Sequence, residues 1–149
     1  MSNITHNRLN ATLTEAQLQT VSQALHSIFE ALPFLTGLTT EERIALPKIN
    51  VNNKVFTQDA LLYMQQNAEM LPAFMQQAPM QNDLTLYHQL DPIITRVQQL
   101  LEQLEDTQML AGSEAYVSAL SAYRLFGAAA VAGIAGADTV YDALRTRFA

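Results

Sequence analysis

Apolar residues return along this chain at the period of an α-helix and nowhere at the period of a strand, which restricts the fold before composition is considered. Leu18, Val21, Leu25, Ile28, Phe29 and Leu32 share one stripe, closed by Pro33. Ile93, Val97, Leu100, Leu101 and Leu104 form a second, broader stripe, with Glu102, Glu105 and Asp106 on the opposite side. Val140, Leu144 and Phe148 mark a third. No internal repeat interrupts this pattern. It predicts an all-α, single-domain helical bundle of four to five main helices plus short ones. The polar stretch 1–12 reads as a flexible tail, and 13–149 as the bundle.

The boundaries can be read from capping chemistry. Thr14 with Gln17, and Thr39 with Glu42, match the capping box, in which each end of the motif satisfies a free amide of the other. Asn50, Asn52 and Asn53 read as a turn, followed by a helix from about Lys54 to Leu71 with Phe56, Ala60, Tyr63, Met64 and Leu71 on one face. Asn67 falls on that face as an irregularity that needs a partner. The Pro-bracketed segment 72–82 reads as a compact turn anchored by Phe74, Met75 and Met80. Asp91–Pro92 reads as a kink or a fresh helix start, Gly112 as a stop, and Ser113 as the cap of the next helix.

Between Gly127 and Ala137 the sequence contains only Ala, Gly, Val and Ile. Extending that run to membrane length draws in Ser118, Ser121 and Arg124, and an arginine at the centre of a bilayer costs several kcal/mol. Gly133 and Gly136 instead mark a break between two helices, and Gly127 to Ala132 read as a surface that lets another helix approach closely.

Several stretches resemble a family of small, uncharacterised bacterial helical proteins. They are LPFLTGLTTEER with the later LPK (Leu32 to Lys48), LEDTQMLAGSEAY (Leu104 to Tyr116), and YDALRTRF (Tyr141 to Phe148). The resemblance covers the chain from about Leu32 to Phe148 and implies a compact bacterial helical bundle. It carries no activity, substrate or cofactor.

Charge and chemistry exclude more than they select. A net charge of −6, with only eight Lys and Arg, argues against nucleic acid and against anionic lipid surfaces. The chain has no cysteine, so it has no thiolate nucleophile and no Cys-based metal site, which suits a cytoplasmic setting. The N-terminal stretch lacks the apolar core of a secretory signal, and the sequons at Asn3 and Asn10 matter only in a glycosylating cell. No glutamate stands three residues before His6, His26 or His88, as a bundle di-iron site requires. No nucleophile elbow or phosphate loop is present. The sequence therefore offers no catalytic, metal or cofactor site.

Two candidate sites remain. Arg124 flanks an apolar stripe with no acid three or four residues away. An inter-helix ion pair, or a side chain reaching water along its own stem, is the ordinary explanation. With Glu114, Tyr116 and Tyr123, Arg124 could instead bind an anionic ligand. The glutamine pairs 65–66, 76–77 and 98–99 and the methionines suit a surface that is easily desolvated, although glutamine is also a good helix former. The leading expectation is a non-enzymatic helical bundle acting by protein contact, including a homodimer, with Phe74, Met75 and Met80 as contacts. The alternative is an anionic small-molecule binder, or an unrecognised enzyme, built around Arg124.

Overall fold

A computed structural model of the chain describes residues 7–147; Asn3, His6 and Phe148, singled out above, lie outside the described residues. Every regular element among the described residues is helical. The α-helices are α1 (Glu15–Ala31), α2 (Thr40–Ala45), α3 (Val51–Gln66), α4 (Gln77–Val131) and α5 (Ala137–Arg145), with a 3-10 turn over Ala68–Met70. The chain is all-α, as its periodicity predicts. It divides into two compact units, one made of Leu13–Val97 and the other of the N-terminal residues to Thr12 together with Gln98–Ala149.

In the Leu13–Val97 unit both expected capping boxes are formed. The Thr14 hydroxyl accepts from the Gln17 amide at 3.1 Å, and the Gln17 side chain accepts from the Thr14 amide at 2.9 Å. Thr39 and Glu42 do the same at 3.2 and 2.8 Å. The asparagine turn is corrected: Asn50 is itself the cap of α3, reciprocated by Asn53, so the helix begins at Val51 and ends at Gln66. Asn67 is a C-cap whose side-chain amide donates to the Tyr63 carbonyl at 2.9 Å.

The expected face of α3 is also corrected. Leu61 is buried, while Thr57, Ala60 and Met64 are half-buried beside it; Phe56 and Tyr63 are exposed. Apolar side chains surround this helix, so its periodicity does not decide which face turns inward. The neighbouring start of α4 decides it. Gln58 pairs with His88 at 3.1 Å, Gln65 with Gln81 at 3.4 Å, and the Gln77 side chain with the Met64 carbonyl at 2.7 Å. Residue numbers fall on one helix as they rise on the other, so α3 and α4 run antiparallel here.

The turn expected over 72–82 is shorter than predicted, because α4 already begins at Gln77. Pro79 fits its first turn, where the missing amide would have no helical partner. The helix, 55 residues in all, runs on through Pro92, Gly112 and Ser113, so the stop at Gly112 and the cap at Ser113 do not occur. A helical glycine costs about 1 kcal/mol relative to alanine, less than breaking a helix and nucleating another. A glycine acts as a stop when it takes the left-handed conformation with its own hydrogen bonds, as Gly133 does.

In the unit containing Gln98–Ala149, α4 ends in a Schellman motif. Gly133 has φ +76°, its amide donates to the Ala130 carbonyl, and the Ile134 amide donates to the Ala129 carbonyl, both at 3.1 Å. Gly136, at φ +81°, turns the chain into α5. Ala137 is buried at this corner. The Tyr141 ring then lies over Gly127, where an added Cβ would meet its Cε2 at 2.9 Å. Thus the small residues of 127–137 serve a tight corner and one close contact, and no helix among the described residues is long and apolar enough to cross a membrane.

Candidate functional site

The tyrosines of the candidate set meet in the unit that holds α5. Tyr123 on α4 stacks on Tyr141 of α5, with ring centroids 4.9 Å apart and planes 18° apart. Gly127, one turn along α4 from Tyr123, is what allows Tyr141 this close. A hydrogen bond with Tyr141 is the largest cause holding the Tyr123 hydroxyl above its ordinary ionisation range; burial adds to it and Arg145 opposes it. Beside this stack Tyr116, Ala119, Leu120, Tyr123, Leu144 and Arg147 line an open groove of about 370 Å³.

The other two members of the set go elsewhere. Arg124 is exposed and does not line the groove; no carboxylate among the described residues forms an ion pair with it. Arg147 provides the groove's cation instead. It lies in the turn just past α5, where its amide donates to the Leu144 carbonyl at 3.0 Å, and no local sequence signal points it to the groove. Glu114 faces the N-terminal segment, where its two carboxylate oxygens accept the amides of Arg8 and Leu9 at 2.7 and 3.2 Å. Amides donating to a carboxylate form charge-assisted bonds, so Glu114 anchors an extended segment. That segment, with Ala111, Ala115 and Ser118, encloses a second groove of about 230 Å³.

Of the expected contact residues, Phe74 and Met75 are exposed and Met80 is half-buried. The larger uncovered surface lies where the sequence suggested a core. Every residue of α1 is exposed, and so is every residue from Asp91 to Met109 of α4, including Ile93, Val97, Leu100 and Leu104. Among the described residues only Leu61 and Ala137 are buried apolar side chains. No three His, Asp or Glu side chains of the described residues converge as metal ligands would. His26 pairs with Glu30 at 3.2 Å on α1. No known protein family, curated protein or solved structure matches the chain, and the resemblance seen in its sequence therefore brings it no family identity.

Proposed function

We propose that this chain is a non-enzymatic helical protein that works through protein–protein contact, its apolar helix faces being completed by a partner surface. One observation carries the reading: the stretch Asp91–Met109 bears a full apolar stripe, yet its large apolar side chains stay 41% to 71% exposed. Most of a helix's stability in water comes from covering such a stripe. Exposed apolar patches of this extent mark interaction sites. The chain's lack of cysteine suits a reducing, cytoplasmic setting for this role. Hydrogen exchange followed peptide by peptide tests the reading. It expects slow exchange over Asp91–Met109 in the associated protein and fast exchange in the dilute monomer; slow exchange in the monomer contradicts it.

A second reading rests on the groove beside the tyrosine stack. Tyr116 and Tyr123 offer aromatic walls and Arg147 a cation, a combination suited to a small aromatic anion. Calorimetric titration with benzoate tests it: binding that is lost in Arg147→Met and kept in Arg124→Met supports this groove, and absence of binding to the native chain removes it.

A further inference from the structure

We infer that the surface covering the bare stripe of α4 is a second copy of this chain. The inference rests on the contact reading above and names the partner. Its first support is area. The chain exposes 12915 Å². Two separate compact bodies with the sizes of its two units would together expose about 9,100 Å² by the scaling of surface with mass. The surplus, roughly 3,800 Å² per chain, is ample for an obligate homodimer, which buries about 2,000–5,000 Å² in total.

The second support is the register of the stripe. Leu86, Leu90, Ile93, Val97, Leu100 and Leu104 follow one another at alternating spacings of four and three. These are six successive seam positions of a heptad pattern with no polar interruption; Leu86 and Leu90 are already half-buried, and the four from Ile93 to Leu104 are exposed. Such a seam is self-complementary, as a two-fold interface requires, because the same patch must serve on both sides. Tyr87, Ile94 and Leu101 widen it to three positions in seven, a face that needs more than one neighbouring helix. The α1 stripe, Leu18, Val21, Leu25 and Ile28, has the same spacing and every residue of α1 is exposed; Leu32, the cap that follows, continues the spacing and is half-buried. Each chain therefore carries two exposed apolar stripes, and two copies carry four.

Charge permits the pairing. Two chains of net charge −6 repel, but the six seam positions carry none of that charge, and Glu102, Glu105 and Asp106 lie on the far side of α4. No carboxylate is desolvated when the seams meet, and salt screens what remains. Association therefore strengthens as salt is added.

Sedimentation velocity of the full chain over a wide dilution series tests the inference, using the native protein, Leu100→Glu and Gln99→Glu. The native chain and Gln99→Glu, which adds the same charge one residue off the seam, are expected at twice the 16.5 kDa chain mass. Leu100→Glu is expected to sediment as a monomer or to lose helix by circular dichroism. A native chain that sediments as a monomer at every concentration overturns the inference, whatever the variants do. If that monomer binds an apolar fluorescent dye, the stripe is bare and the contact reading survives with a different partner. If it binds none, the chain covers its own stripe and both readings fall. A folded Leu100→Glu dimer would place the interface elsewhere and overturn the assignment to α4.

Discussion

Gly127→Ala and Gly112→Ala are the same substitution on one helix, and the structure predicts different outcomes for them. Both glycines lie inside α4, so alanine improves helix propensity by about 1 kcal/mol at each. At Gly112 nothing stands within 4 Å of the new Cβ, and the gain is kept. At Gly127 the Cβ would meet Tyr141 Cε2 at 2.9 Å, Cδ2 at 3.3 Å and Cζ at 3.6 Å. The ring must move, and its stack on Tyr123 resists. Overpacking of this kind costs about 1–3 kcal/mol. Since propensity is common to both, the difference between the two variants is the packing cost alone, a separation of roughly 3–9 °C in Tm for a chain of this size. Thermal unfolding measures it, with near-ultraviolet circular dichroism following the tyrosines, the chain having no tryptophan. In a Tyr141→Ala background the clash disappears and Gly127→Ala should stabilise as Gly112→Ala does. Equal stabilisation of the two variants in the native background would refute the placement of Tyr141 over Gly127.

Other expectations follow from single features. Pro92 stands inside α4, so Pro92→Ala should raise stability by up to about 3 kcal/mol in chemical denaturation. Glu114→Ala removes the acceptor for two backbone amides, and hydrogen exchange at Arg8 and Leu9 should accelerate while the rest of α4 is unchanged. Tyr123 ionises above its ordinary range in the folded chain, so its phenol form is favoured by folding. Its contribution is complete below about pH 10 and is lost as pH rises through the folded value. Tyr123→Phe should therefore lose less stability than the native chain between about pH 9 and pH 11, as measured by denaturant titration.

What could be read from the sequence was whatever depended on local chemistry. The boxes at Thr14 and Thr39 and the break at Gly133 and Gly136 are each fixed within one or two turns of chain. Asn50 was missed because its box closes with Asn53 rather than the Glu or Gln of the usual pattern. The stop at Gly112 failed for a different reason: glycine permits a left-handed stop but does not impose one, and good helix formers flank it on both sides. The face of α3 depended on tertiary pairing with α4, which no periodicity in a helix surrounded by apolar residues reveals. The candidate ligand set divided in the same way. Tyr116 and Tyr123, two turns apart on one helix, reached one groove, whereas the partners of Glu114 and the groove's cation came from distant parts of the chain. The apolar stripes of α1 and α4 were legible, but not what covers them, because periodicity shows that a face should be buried and not what buries it.

The central claim is that a second chain covers these stripes. If it does, unfolding releases two chains, and the dimer is favoured by about 1.4 kcal/mol for each tenfold rise in concentration. For two chains of this length that is a rise in Tm of roughly 2 °C per tenfold. The most direct measurement is therefore the thermal midpoint followed over several decades of protein concentration. The account predicts a midpoint that climbs steadily by that amount, and a reversible midpoint that stays constant throughout would contradict it.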